Sequence, residues 1–183
     1  DLLTLSQIET GQIKMKFENI DLYKLTEEVI EQFEEKAEKR DISLRIETDS
    51  KKVWVYADWQ RMSQVITNLI SNALKHSPDK GEVLVSFEQS KKYVTASVGD
   101  FGEGIPQEDH DRIFERFYRV DKSRSREKGG TGLGLSIVKH ILDGHNTRAE
   151  VESELGKGAI FRFKLPRVKI ETPEAREVLK SEK

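Results

Sequence analysis

Residues 58–76, with the sequence DWQRMSQVITNLISNALKH, carry the strongest structural signal in this chain. Apolar side chains recur through them at spacings of three and four, the pattern of an amphipathic helix with one face in a core. These apolar positions are Met62, Val65, Ile66, Leu69, Ile70 and Ala73. Asp58 precedes them as a suitable N-cap. We therefore expect a helix from Asp58 to about His76 with one buried face.

The same helix has a second, polar stripe, roughly 120° around its axis from the apolar one. It consists of Arg61, Gln64, Asn68, Asn72 and Lys75. Asparagine is unfavourable inside a helix because its amide competes for backbone hydrogen bonds, so two of them four residues apart suggest a use. An amide oxygen suits Mg²⁺, and a lysine can hold a phosphate as a point charge. The alternative is a solvated amide face, which is the better interpretation of this helix taken alone.

The segments on either side predict a mixture of strands and helices. Before residue 58 we expect the end of a helix at 1–12, a strand at 14–19, a helix from Asp21 to about Arg40, and strands at 43–48 and 53–57. After residue 76 we expect strands at 82–88 and 93–98, a short aromatic helix at 113–119, a helix at 133–142, and strands at 150–153 and 159–165. The elements do not alternate as regular βαβ units, which favours an open α/β sandwich over a doubly wound sheet.

Nine of the twelve glycines fall in three windows, at 99–104, 129–134 and 156–158. Clustered glycines indicate backbone that approaches a ligand closely or adopts positive φ. The first window follows a predicted strand and contains Asp100-Phe-Gly-Glu-Gly. A buried carboxylate there can accept a hydrogen bond from an exocyclic amine such as adenine N6. The alternative is a turn capped by an aspartate, which is common.

The second window, Gly129-Gly-Thr-Gly-Leu-Gly-Leu-Ser136, leads into a predicted helix. Free N–H groups and the positive end of the helix dipole favour phosphate at such a start. Neither G-x-x-x-x-G-K-[ST] nor G-x-G-x-x-G is present, so a nucleotide here would bind by another geometry. We prefer phosphate binding to the alternative, a flexible loop that precedes a helix.

Composition limits the classes of function. The chain has 33 acidic and 31 basic side chains and a net charge of −2, which argues against binding nucleic acid through a basic excess. The absence of cysteine rules out a disulfide scaffold, a thiolate zinc site and a cysteine nucleophile. No apolar run approaches the roughly 18 residues of a membrane span. Residues 119–128 carry five bases and two acids, which predicts a basic lid over a polyanion, with a solvated loop as the alternative.

In this order, the segments resemble the ATP-binding catalytic domain of bacterial sensor histidine kinases, within the gyrase, chaperone and histidine-kinase ATPase superfamily. Residues 68–75 resemble the family's asparagine box, and residues 100–104 and 130–135 its two glycine boxes. Residues 113–119 resemble its phenylalanine box, and residues 156–161 its last glycine element. The resemblance implies a two-layer α/β sandwich of a mixed β-sheet packed on three helices, a Bergerat-type ATP-binding fold with a left-handed crossover.

The resemblance also implies roles for individual residues. Asn72 is expected to ligate Mg²⁺, Asn68 and Lys75 to approach phosphate oxygens during catalysis, and Asp100 to bind adenine. The other expected ATP-binding residues are His76, Gly102, Gly104, Ile105, Tyr118, Arg119, Gly130, Thr131, Gly132, Leu133, Gly134 and Leu135.

Three positions depart from the family pattern. His76 stands where an aromatic Tyr or Phe is common beside the nucleotide. Phe101 replaces a frequent Asn or Thr and leaves the aspartate and glycines intact. Residues 145–147, His-Asn-Thr, stand where His-Gly-Gly is usual, which brings the geometry of that turn into question.

The resemblance implies a protein histidine kinase that binds ATP and Mg²⁺ and donates the γ-phosphoryl group to a histidine. None of the four histidines, at 76, 110, 140 and 145, fits the acceptor position, so the acceptor is expected on a dimerisation domain outside this chain. Three regions are implied: the end of a second dimerisation helix at 1–12, the catalytic domain at 13–166 and a charged tail at 167–183.

Expected partners are the dimerisation domain and a response regulator, with no nucleic acid. The fragment is expected to be a cytoplasmic monomer, and its parent a homodimer anchored in the bacterial cell membrane.

Two other classes of function remain open. Related ATPases and serine kinases carry a glutamate as general base where this chain has Asn68, and an amide cannot accept a proton at neutral pH. A module that binds nucleotide without turnover is the second.

Overall fold

The structure, a computed structural model, describes residues 14–120 and 130–169. In chain order its strands and α-helices are β1 (Glu18–Asp21), α1 (Leu22–Glu31), α2 (Glu34–Glu38), β2 (Ser43–Thr48), β3 (Trp54–Ala57), α3 (Trp59–His76), β4 (Glu82–Gln89), β5 (Tyr93–Asp100), α4 (Gly134–Gly144), β6 (Glu150–Ser153) and β7 (Ala159–Pro166). The predicted helix end at 1–12, most of the basic segment 119–128 and the tail beyond residue 169 lie outside the described residues.

Five strands form one mixed sheet in the order β2-β4-β5-β7-β6. β2 runs parallel to β4, and the other neighbouring pairs are antiparallel. A separate antiparallel pair is formed by β1 and β3. The register places Asp100, the last residue of β5, between Val83 of β4 and Ala159 of β7. The carboxylate of Asp100 therefore lies at the end of the central strand, with β4 on one side and β7 on the other.

The core lies between this sheet and the helices. All six apolar positions predicted on α3 are buried, each at most 3% exposed. α3 packs against α1, α4 and β5. Alternate residues of β7, Phe161, Phe163 and Leu165, are also buried in this core. The expected α/β sandwich of a mixed sheet and helices is thereby confirmed. Within the described part of the chain, none of the helices is long and apolar enough to cross a membrane.

The predicted helix from Asp21 to Arg40 is wrong in its length, because α1 ends at Glu31 and α2 begins only at Glu34. The backbone amides of Gln32 and Phe33 donate to carbonyls three residues back, at 3.1 and 2.8 Å, and such bonds tighten the turn into 3₁₀ geometry. The segment contains no proline or glycine that would predict this break.

Two other predicted elements are shorter than expected. The strand predicted at 14–19 becomes β1, because its partner β3 pairs only from Glu18 onward. The predicted aromatic helix at 113–119 is reduced to a 3₁₀ turn, Arg112–Phe114, since Phe117 adopts the left-handed φ of +60° and donates its N–H to Gly132 outside the helix. Periodicity cannot predict either outcome because both depend on distant partners.

The turn after α4 closes without the glycines usual in the family. Asn146 takes φ +54°, a left-handed conformation that asparagine tolerates better than most residues. The buried His145 has its Nδ1 2.8 Å from the carbonyl of Ile141, and its Nε2 accepts the N–H of Asp58 at 3.1 Å. This network assigns the proton to Nδ1 and ties the end of α4 to the N-cap of α3 through a neutral imidazole.

His145 is expected to make stability pH dependent. Burial lowers the pKa of its imidazole, although the Ile141 carbonyl and Asp58 act in the opposite direction. The unfolded chain therefore takes up the proton first, and the free energy of unfolding falls as pH drops below about 6.5. We expect a loss of about 1 kcal/mol between about pH 7.5 and 5.5, since a protonated Nε2 would face the N–H of Asp58.

Urea unfolding of the wild type and of His145→Gln measures this loss. The variant should lose most of the pH dependence. His140, whose pKa burial also lowers, is present in both proteins, so its contribution cancels. An equal pH dependence in both would contradict the assignment.

Candidate functional site

Asp100 ends the central strand β5 and is 4% exposed. Its Oδ1 accepts the N–H of Gly102 at 2.9 Å. Burial raises the pKa of this carboxyl, and hydrogen bonds from the backbone of Gly102 and Ala159 act in the opposite direction. Because a carboxylate offers about four acceptor positions, capacity remains for an N–H donor of a ligand.

The glycines after Asp100 let the chain pass between the end of α3 and the β6–β7 turn. A Cβ at Gly102 would lie 2.1 Å from the carbonyl oxygen of His76. Gly104 has φ +74°, and a Cβ there would lie 2.1 Å from the carbonyl oxygen of Glu154. No side chain fits at either position, so these two predicted site residues are required for close backbone packing around Asp100.

Hydrogen bonds from the β6–β7 turn hold this segment in place. The Ser153 hydroxyl accepts the N–H of Ile105 at 2.8 Å and donates to the carbonyl of Gly158 at 2.6 Å. The N–H of Gly156 donates to the carbonyl of Glu103 at 2.7 Å. Ser153 is therefore a supporting residue that sequence reasoning missed, because a single serine in a strand has no distinguishing pattern.

The polar stripe of α3 faces the start of α4. Asn68, Asn72 and Lys75 are each partly exposed on this helix. The Nδ2 of Asn68 is buried and has no hydrogen-bond partner among the described residues. A Cβ at Gly134, the first residue of α4, would lie 3.8 Å from the Oδ1 of Asn68. A buried donor without an acceptor is costly, so Asn68 is suited to bind an oxygen of a ligand.

The glycine loop before α4 lies over the last turns of α3. Gly130 and Gly132 have φ of +143° and +72°, in the region that favours glycine. A Cβ at Gly130 would lie 2.6 Å from the Nζ of Lys75, and one at Gly132 would lie 2.9 Å from the Cα of Phe117. Phe117 also donates its N–H to the carbonyl of Gly132 at 2.9 Å. The loop is therefore held between α3 and the segment that follows the 3₁₀ turn Arg112–Phe114.

Two consecutive residues of α3 join the two parts of the site. Lys75 contacts the glycine loop at Gly130, while the carbonyl of His76 lies against Gly102 beside Asp100. A carboxylate suited to a base amine and a helix N-terminus suited to phosphate thus meet at the last turn of α3. This arrangement suits one nucleotide, with its base near β5 and its phosphates near α4.

Three predicted contact residues have their side chains turned into the protein. Leu133 is 2% exposed, and Leu135 and Ile105 pack against the core. A ligand would therefore meet chiefly their backbone. The exposed Thr131 and His76 have side chains at the surface of the site.

Tyr118 is fixed by its neighbours. Its hydroxyl donates to the carboxylate of Asp109, and this bond raises the pKa of the phenol. The guanidinium of Arg112 lies 4.3 Å from the centre of its ring. These contacts position the start of the basic segment. A guanidinium nitrogen of the next residue, Arg119, lies 3.9 Å from where a Cβ at Gly130 would be.

The fold and the site together define a nucleotide-binding α/β domain. Residues 57–169 match the family described as histidine kinase-, DNA gyrase B- and HSP90-like ATPases. The chain belongs to this family.

Similar proteins narrow the class further. The sensor histidine kinase WalK of Bacillus subtilis is 38% identical over 168 residues, which are 91% of this chain and 27% of WalK. The full-length ShkA structure in complex with AMPPNP has a TM-score of 0.82 at 28% identity and covers 94% of this chain and 35% of ShkA. The nucleotide-free catalytic domain of the histidine kinase ThkA has a TM-score of 0.74 at 34% identity and covers 84% of this chain and 97% of that domain. A second ThkA structure, in complex with the response regulator protein TrrA, has a TM-score of 0.74 at 29% identity and covers 91% of this chain and 47% of that ThkA chain.

The expected class, the catalytic ATP-binding domain of histidine kinases, is confirmed by these similarities. The chain spans about a quarter of the length of WalK. The roles assigned to individual residues remain predictions.

Proposed function

We propose that this domain binds ATP with Mg²⁺ and donates the γ-phosphoryl group to a histidine on a separate dimerisation domain. The observation that carries this proposal is the last turn of α3, where Lys75 contacts the glycine loop and His76 contacts the segment after Asp100. One helix end thereby joins a site for a base to a site for phosphates. The ShkA relative, which holds AMPPNP, supports the same type of ligand for this chain.

Asp100 is proposed to recognise adenine. Its carboxylate is buried and hydrogen-bonded to Gly102, so its position is fixed before a ligand arrives. An ionised carboxylate accepts hydrogen bonds and donates none, which selects the exocyclic amine of adenine over the carbonyl of guanine at the same place. Gly102 and Gly104 let the backbone approach the ring.

The phosphates are proposed to lie at the start of α4. The free N–H groups and the dipole of this helix favour anions, and Lys75 adds a positive charge against Gly130. The buried Nδ2 of Asn68, which lacks a partner among the described residues, can donate to a phosphate oxygen. A nitrogen of Arg119 lies 3.9 Å from where a Cβ at Gly130 would be, and the exposed Thr131 follows Gly130 in the chain.

Asn72 is proposed to hold Mg²⁺. Among residues 14–120 and 130–169, no three histidine or acidic side chains are arranged as a metal site. An amide oxygen fits an ion that takes few protein ligands and completes its shell with phosphates and water. When bound, the ion would neutralise negative charge on the phosphates.

Transfer to histidine fits the side chain at position 68. A neutral imidazole nitrogen is already nucleophilic and needs less help from a general base than water or serine does. It forms the bond to the γ-phosphorus while the bond to the bridging oxygen of the ADP leaving group breaks, and the imidazolium so formed then loses its remaining N–H proton to solvent. Water or serine needs a base, and the Asn68 amide cannot serve as one. The domain contributes positioning and charge stabilisation, which are the main needs of phosphoryl transfer.

The partners are part of the same proposal. ThkA has been solved with the response regulator protein TrrA, which supports a response regulator as the partner that finally receives the phosphoryl group. We propose that residues 1–12 end a dimerisation helix, that residues 13–166 are the catalytic domain, and that residues 167–183 form a tail. The parent protein is proposed to be a homodimer anchored at the cell membrane, whereas the catalytic domain alone is a monomer in the cytoplasm.

The test mixes this domain with a dimerisation segment from a sensor histidine kinase, Mg²⁺ and radiolabelled ATP. We expect an acid-labile, base-stable phosphohistidine on the added segment. A segment with its acceptor histidine replaced by glutamine is the matched control and should stay unlabelled. Release of free phosphate alone, at the same rate with both segments, would support an ATPase instead.

A further inference from the structure

The carbonyl of Leu74, in the last turn of α3, has no backbone N–H to accept from within the helix. In a continuing helix the carbonyl of Leu74 accepts the N–H of residue 78, but residue 78 is a proline and has none. Leu74 is 1% exposed, and a buried carbonyl without a donor is costly. The turn that carries Lys75 and His76 therefore needs a donor from elsewhere in the chain.

Arg40, which follows α2, supplies this donor. Its Nη1 donates to the carbonyl of Leu74, and its Nη2 donates to the carbonyl of Ser77 at 2.7 Å. Its Nε donates to the carboxylate of Asp79 at 2.7 Å, and its own carbonyl accepts the N–H of Lys80 at 2.9 Å. The side chain is 33% exposed. One guanidinium thus binds both ends of the segment from Leu74 to Ser77.

The two residues between these ends are those that join the halves of the nucleotide site. We propose that Arg40 is a positioning residue of this site, which fixes the last turn of α3 so that Lys75 stays against the glycine loop and His76 against Gly102. Arg40 acts through these residues and not by touching the nucleotide. The inference rests on the proposed function, because Lys75 is taken to bind phosphate.

The shape of the guanidinium matters here as well as its charge. Any cation near a helix C-terminus interacts favourably with the helix dipole, and a lysine at position 40 would keep that interaction. Only the planar fork of arginine donates in fixed directions to two carbonyls and a carboxylate at once. Arg40→Lys therefore keeps the positive charge but loses the simultaneous hydrogen bonds to the carbonyls of Leu74 and Ser77 and to Asp79.

Calorimetric titration with AMPPNP and Mg²⁺ tests the inference, at a temperature where circular dichroism shows every variant folded. We expect Arg40→Gln and Arg40→Lys each to weaken binding about tenfold, the size of lost hydrogen bonds from a charged donor. Hydrogen exchange of the Lys75 and His76 amides should accelerate in both. Arg45→Gln is the matched control, because Arg45 pairs with Glu82 on the sheet. Unchanged affinity in the Arg40 variants, or full rescue by lysine, overturns the inference.

A double-mutant cycle separates positioning from general destabilisation. In a Lys75→Met background, Arg40→Gln should weaken binding only about twofold further, since the main residue to be positioned is gone. A tenfold loss in both backgrounds overturns the inference. If Lys75→Met itself binds AMPPNP normally, the proposed phosphate role of Lys75 fails and the inference fails with it. If Lys75→Met weakens binding and Arg40→Gln does not, the inference alone fails.

Discussion

Asp100→Asn is expected to weaken AMPPNP binding about 100-fold, the equivalent of about 3 kcal/mol for a hydrogen bond to a buried charged group. The Gly102 N–H already donates to this side chain at 2.9 Å. Asparagine has one oxygen where the carboxylate has two. If that oxygen accepts from Gly102, the amide nitrogen faces the adenine amine as a second donor. If the amide group rotates by 180°, its nitrogen instead faces the N–H of Gly102, and two donors again point at each other.

Calorimetric titration of the wild type and the variant measures this loss. Asp111→Asn is a suitable control, because Asp111 is an exposed acid whose side chain caps no helix N–H. Asp100→Asn should keep the fold, since it changes one buried atom without changing size. An affinity within threefold of the wild type would contradict adenine recognition by Asp100.

Asn72→Ala is expected to remove most of the Mg²⁺ dependence of AMPPNP binding and to lower phosphohistidine formation at least about 100-fold, since charge stabilisation dominates phosphoryl transfer. Asn72 lies on the polar stripe of α3, four residues after Asn68 and three before Lys75. The part of the chain that the structure describes offers no acidic or histidine cluster that could replace it. Alanine is a good helix former, so α3 should persist.

The measurement compares affinity with and without Mg²⁺. Gln64→Ala is the matched control: it removes an amide from the same stripe two turns earlier, where the side chain accepts a hydrogen bond from Arg61 at 3.3 Å. That variant should retain the full Mg²⁺ dependence. If AMPPNP binding by Asn72→Ala depended on Mg²⁺ as much as binding by the wild type, Asn72 would not be the Mg²⁺ ligand.

Local pattern was sufficient wherever one element has two distinct faces. The bounds of α3, six of its seven buried residues and its capping Asp58 follow from the three- and four-residue spacing, and the structure agrees with the predicted bounds to within a residue. The glycines beside Asp100 and before α4 were predicted to approach a ligand or to adopt positive φ. Gly104, Gly130 and Gly132 do adopt positive φ, and a Cβ at Gly102 would collide with the carbonyl of His76.

Local pattern failed where a distant partner sets the geometry. The break between α1 and α2 has no proline or glycine to announce it, and Phe117 takes a left-handed φ in contact with Gly132. Ser153 supports Ile105 across 48 residues, and Arg40 completes the end of α3 across 34. Neither Ser153 nor Arg40 differs in type or spacing from ordinary surface residues.

The amino-acid sequence by itself determined which chemical groups of this domain we propose to bind a nucleotide: a carboxylate at a strand end, amides and a lysine on one helix face, and a glycine-rich helix start. These follow from residue type and short-range spacing. Only the tertiary structure decided that Lys75 and His76 join the two halves of the site, and that Arg40 and Ser153 hold those halves in place. The physical reason is that hydrogen bonds between residues far apart in the chain depend on how the layers pack, and such single long-range pairs, unlike the apolar face of a helix, have no periodic pattern in the sequence.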